Sequence, residues 1–181
     1  MDDCHFTADP DTIITSGGIS TCIVFAVRGF YEDDDEKQVL FCGLHHWSGF
    51  IADSMASEKN QCLNIISQFF MNLRTDLEIE DEERITISSL DFIGGEKAQM
   101  DGDEVVVSGT EREVTLIQEV IREYDFSEDN MGIGLSTVTH QHFLTSGNDS
   151  ITVTLRINGF AYTHELPNDN QTDEHPSSHR M

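Results

Sequence analysis

Apolar and polar residues change period several times along the chain, and each change marks an element. From Cys22 to Val27 every residue is apolar, the pattern of a strand covered on both faces. Val39 to Leu44 is the return strand, and the charged segment Glu32 to Glu36 reads as the hairpin loop between them. Ser57 to Leu73 switches to helical spacing, with Cys62, Ile65, Ile66, Phe69 and Leu73 forming one broad stripe for burial. Asp76 to Arg84 is an acidic connector. Ile85 to Phe92 is a strand ended by Gly94-Gly95, and Glu104 to Ser108 is a short strand after the Asp101-Gly102-Asp103 turn. Thr110 and Glu113 have capping-box spacing ahead of a second helix, whose inner face is Val114, Ile117, Val120, Ile121 and Tyr124. Strands near Ile133 to Val138, Ser150 to Ile157 and Phe160 to His164 complete the set, with Asn158-Gly159 as the last hairpin turn. The alternation of Ile151, Val153, Leu155 and Ile157 buries one face of its strand.

Two helices among roughly seven strands predict an α+β fold in which helices cover a layered sheet core. A chain of 181 residues, 38% apolar and with three prolines, fits one domain with one sizeable core. That domain is expected over 12–166. Residues 1–11 read as an N-terminal tail, and 167–181 as a disordered C-terminal tail with few large apolar groups to offset ordering entropy.

Charge removes several classes of partner. The formal net charge is −24, with only Lys37, Lys59 and Lys97 among the lysines. Such a surface repels phosphate backbones and anionic lipid, so neither nucleic acid nor a membrane surface is an expected partner. It fits either a salt or solubility adaptation or an acidic patch that steers a basic partner. No stretch approaches the roughly 18 apolar residues of a membrane span. Met1-Asp2-Asp3 lacks the basic start of a signal peptide, so a cytoplasmic location is expected, with secretion by a specialised route as the other possibility. The cysteines at 4, 22, 42 and 62 read as reduced in so core-rich a chain.

Candidate chemistry lies in two short segments. A polar turn, Thr15-Ser16-Gly17-Gly18, runs into Ile19-Ser20-Thr21-Cys22 and the first apolar strand, and the return strand delivers Gly43-Leu44-His45-His46. A cysteine leaving a Gly-rich turn, with a histidine on the next strand, has the order needed for a thiol nucleophile and its base. Free Cys has a pKa of about 8.5 and needs such help at neutral pH. A zinc site from Cys42, His45, His46, His140 and His142 is the competing use of these residues, but no Cys-x-x-Cys or His-Glu-x-x-His spacing supports it.

In these segments the chain resembles the CheD-type chemoreceptor glutamine deamidases, as a divergent member. In that family an apolar strand enters a Thr-x-Gly-x-Gly-Ser-Cys turn, and the next strand ends in Gly-x-x-His. Here Ser16 to Cys22 and Gly43 to His46 occupy those places, which aligns His46, rather than His45, with the family histidine. Ser89-Leu90-Asp91-Phe92-Ile93-Gly94-Gly95 is similar to the family's strand ending in Gly-Gly, and Gly109-Thr110-Glu111-Arg112 is similar to its Gly-Glu-Arg-Asn helix start. The order matches over about 14–157. Ser16 replaces the family Thr, with Thr15 beside it, Ser20-Thr21 replace the small residues before Cys, and Ser48-Gly49-Phe50 replace the Leu-Pro after His.

The resemblance implies a layered α/β/β/α-type sandwich of mixed sheets with helices outside, and a protein-glutamine deamidase that needs no cofactor and no metal. Cys22 would attack a glutamine carboxamide and His46 would act as acid and base. Ser16 or Thr15 would orient the imidazole or bond the thiol, and the Gly17-Gly18 turn is the candidate oxyanion donor. The implied partner is a protein carrying the target glutamine, a chemoreceptor or another, together with a chemotaxis regulatory protein. The alternatives are a catalytically silent interaction module of the same fold and a secreted effector that deamidates a host protein. Transglutamination uses the same thioester.

Overall fold

The structure is a computed structural model and describes residues 4–33, 35–50, 56–80, 83–107, 109–124, 132–135, 138–144 and 150–165. The all-apolar segment becomes β3 (Ile23–Glu32) at the centre of a mixed six-stranded sheet. On one side β3 pairs antiparallel with β4 (Gln38–Trp47), which pairs in turn with the edge strand β1 (Cys4–Thr7). On the other side it pairs antiparallel with β5 (Ile85–Glu96). The far edge of β5 holds β8 (Ile133–Leu135) and then β9 (Val138–Leu144), both parallel to it. A separate three-stranded sheet has the order β11 (Gly159–Glu165), β10 (Ser150–Arg156), β2 (Ile14–Ile19), and β6 (Gln99–Asp101) with β7 (Glu104–Val107) forms a small ribbon.

The two faces of the large sheet bury different cores. Ile23, Phe25 and Val27 point toward the helices α1 (Glu58–Asp76) and α2 (Glu111–Glu123), joining Cys62, Ile66, Phe69, Phe70, Val114, Ile117 and Val120. Val24, Ala26, Cys42, Leu44 and Ile93 point the other way and meet Ile14, Ile19, Ile151, Val153 and Leu155 of the small sheet. This is the α+β class expected, with helices over a layered sheet core. Both helices lie on the same face of the large sheet, so the described residues build helix, sheet and sheet. No second helical layer occurs among them.

Several boundaries differ from the sequence reading for identifiable reasons. Cys4–Thr7, read as tail, is a strand because Phe6 packs over Gly43, where a Cβ would come within 1.9 Å of its ring, and reaches Phe69 at 5.3 Å between ring centroids. Ile14–Ile19, read as a turn, is a strand carrying a bulge. The last hairpin turns one residue earlier than expected, with Arg156 facing Gly159 across it. Ser57 caps α1 by accepting from Asn60 N at 3.3 Å. Thr110 makes no such cap for α2: its hydroxyl accepts from Glu96 N at 2.9 Å and donates to Glu96 O at 3.2 Å, tying the helix start to the end of β5. The segment 167–181 and the acidic residues 81–82 lie outside the described residues.

Candidate functional site

Side chains alternate across a strand, so consecutive residues of β4 serve opposite layers. His45 turns to the helices, its ring 5.3 Å from that of Phe25 and 6.0 Å from that of Phe69. His46 turns to the small sheet, sharing that face with Leu44, Cys42 and its cross-strand partner Val24. The two histidines therefore cannot act on the same group, and they do not converge with Cys42 as one ligand set. Among the described residues no group of three or more His, Cys, Asp or Glu side chains is placed to hold a metal ion.

A bulge brings the second polar group in. Ser16 faces Val153 and Ile19 faces Ile151, so Gly17 and Gly18 together oppose the single residue Thr152. Gly18 has φ +67°, the left-handed conformation that glycine adopts without Cβ strain in bulges of this kind. The extra residue shifts the strand's phase, so Ile14, Ser16 and Ile19 all face inward where strict alternation would have turned Ile19 out. Ser16 Oγ then lies 3.1 Å from His46 Nδ1. Thr15 is exposed on the outer side of the small sheet, opposite Thr154, and does not reach the imidazole.

Cys22 immediately precedes β3 and packs, half-buried, against the inter-sheet core that holds Val24, Cys42 and Leu44. Val24 faces His46 directly, and Cys22 stands two residues before Val24, just ahead of the strand. Its backbone is clamped from below. Gly95 N donates to Cys22 O at 3.0 Å, and a Cβ on Gly94 would stand 3.0 Å from the same carbonyl and 2.7 Å from Ile19 Cγ2. Gly95 in turn lies under Thr110, where a Cβ would meet Oγ1 at 2.1 Å. Both glycines have positive φ, +101° and +86°. The Gly-Gly pair and the Thr110 helix start, which the sequence offers only as points of resemblance, thus form the support under the Cys22 loop. Two adjacent glycines at the end of a strand are the signal that marks such a close approach.

The other thiols have different surroundings. Burial pushes Cys42 up to about 11 and Cys62 up to about 12. Burial, together with the negative charge of Asp76, pushes Cys4 up to about 12. All three are held as neutral thiols near neutral pH. No helix among the described residues is long and apolar enough to cross a membrane.

The chain finds no significant match among protein-family models, curated proteins or solved structures.

Proposed function

We propose that the protein is a cysteine-dependent protein-glutamine deamidase resembling the CheD type, with Cys22 as nucleophile and His46 as acid and base. The observation that carries this reading is the Ser16–His46 contact on the face that also bears Cys22. When Ser16 Oγ accepts from Nδ1–H, the imidazole is fixed in the tautomer whose Nε2 is an acceptor. That nitrogen can take the thiol proton.

The thiolate then attacks the carboxamide carbon, forming the C–S bond and an oxyanion. Backbone N–H groups of the Gly17–Gly18 bulge are candidates to stabilise it. Collapse expels ammonia, which takes its proton from the His46 imidazolium and leaves a thioester on Cys22. Water, deprotonated by His46, attacks the thioester, releasing glutamate in place of glutamine and regenerating the thiol. No cofactor enters these steps. The substrate class is a protein carrying an accessible glutamine.

The test is ammonia release from a panel of glutamine-bearing proteins, with Gln-to-Glu conversion mapped by mass spectrometry. Cys22→Ser and His46→Ala should each abolish conversion while circular dichroism stays unchanged. A catalytic pair acts as a unit, so the double variant should be little worse than either single one. Conversion that persists in Cys22→Ser sinks the enzyme reading.

A further inference from the structure

β6 and β7 pair with each other, and neither outer edge is joined by another strand among the described residues. Three large apolar side chains on this small ribbon face water: Met100, Val105 and Val106 are 54%, 55% and 59% exposed and belong to neither core. The other exposed large apolar side chains among the described residues are distributed over separate elements. A lone two-stranded hairpin is marginal in water. This one is held at its root. Ala98 N donates to the two carboxylate oxygens of Glu111 at 3.2 and 3.1 Å, and Thr110 N donates to Glu96 O at 2.8 Å. Gly109 closes the root, since a Cβ there would stand 2.3 Å from Ala98 N and 2.5 Å from Glu96 O.

Alternation gives the ribbon two unlike faces. Met100 stands directly opposite Val105 and makes one face apolar. The next pair, Asp101 opposite Glu104, points the other way and makes that face acidic, with Asp103 in the turn. Val106 is the extra residue of a bulge between the pairs Met100–Val105 and Gln99–Val107. A bulge blunts a strand's edge for pairing, which leaves β6 as the regular one. A strand laid along β6 meets an apolar neighbour on one side and carboxylates on the other. Its complement therefore alternates apolar and basic residues. A second copy of the chain is not that complement, because it would bring carboxylates to carboxylates and −24 to −24.

We propose that the β6–β7 ribbon is a docking arm for a protein partner, which adds to β6 a strand of alternating apolar and basic residues. Main-chain hydrogen bonds to the open edge hold that strand. Its apolar side chains cover Met100 and Val105, and its Lys or Arg side chains pair with Asp101 and Glu104. The arm goes beyond the deamidase reading and binds whether or not Cys22 is a nucleophile.

The experiment titrates the peptide Val-Lys-Val-Lys-Val-Lys-Val into the full chain and follows the methyl signals of Met100, Val105 and Val106 by NMR. These should shift saturably. The same residues in block order, Val-Val-Val-Val-Lys-Lys-Lys, carry equal charge and should bind more weakly. Two double variants remove one face each: Met100→Ser with Val105→Ser, and Asp101→Asn with Glu104→Gln. Each should weaken binding about fivefold, and exposure of all four positions leaves the cores untouched. Asp35→Asn with Glu36→Gln takes the same charge from the loop between β3 and β4 and should leave affinity unchanged. Absence of saturable shifts overturns the proposal, as does equal binding of the block-order peptide. An equal loss in the loop variant also overturns it, by reducing the effect to net charge, and so does unchanged affinity in both ribbon variants.

Discussion

Ser16 Oγ and His46 Nδ1 are 3.1 Å apart, one on the small sheet and one on the large, so a single contact both bridges the layers and sets the imidazole. Ser16→Ala removes it. Loss of one net hydrogen bond of about 1 kcal/mol should lower activity roughly fivefold and leave the fold intact, whereas Ser16→Thr should retain most activity. Imidazole nitrogen shifts separate this from a purely structural effect: the alanine variant should mix tautomers and the threonine variant should not. Equal tautomer populations in all three proteins would contradict the assignment.

Gly94 and Gly95 support the Cys22 loop at positive φ with no room for a side chain. Alanine at either position should cost about 1–3 kcal/mol from backbone strain alone, with close contacts adding to it. Thermal denaturation is the measurement. Gly94→Ala should in addition slow modification of Cys22, because its Cβ would press on the Cys22 carbonyl and Ile19. A Gly94→Ala variant as stable as the parent would show that the loop does not sit on this strand.

Three thiols make stability fall in alkali. Burial holds Cys4, Cys42 and Cys62 at about 12, 11 and 12 in the folded chain, well above the roughly 8.5–9 of a free thiol. Above pH 9 the unfolded chain loses these protons while the folded chain keeps them, so the folded state binds more protons and stability declines as pH rises. The urea midpoint should be flat with respect to these groups below pH 9 and fall progressively from 9 to 12. Cys62→Ala should lower stability overall yet flatten that slope. An unchanged slope would mean that Cys62 is not held as a neutral buried thiol.

Much of the fold is legible because period alone identifies it. The stripe of Cys62, Ile66, Phe69 and Leu73 makes α1, and the unbroken apolar run makes the central β3. Elements decided by a tertiary partner are not legible. β1 is four residues long, and only Phe6 settling over Gly43 makes it a strand. Thr110 has capping-box spacing but bonds Glu96 instead, because β5 delivers that residue's backbone to its hydroxyl. At the candidate site, strand alternation separates His46 from His45 once the register is known. The choice between Ser16 and Thr15 depends on the inward face of β2, and the bulge that brings Ile19 back to that face is invisible to a count of residues.

His45 and His46 should give opposite phenotypes. His45→Ala removes a ring packed on Phe25 and Phe69, so it should lower the melting temperature and leave chemistry at Cys22 largely intact. His46→Ala should do the reverse. Combined thermal melts and ammonia-release assays read both effects. Loss of activity in His45→Ala with full activity in His46→Ala would mean that the β4 register is displaced by one residue.

The rate at which iodoacetamide alkylates Cys22 at neutral pH, located by peptide mass mapping, tests the central pairing without knowledge of the substrate. Cys22 should react faster than a free cysteine peptide and ahead of Cys4, Cys42 and Cys62. His46→Ala should bring it down to the peptide's rate, and His45→Ala should leave it unchanged. A Cys22 that alkylates no faster than the free peptide in the parent protein, or equally fast in His46→Ala, would contradict the account and leave a binding module in place of an enzyme.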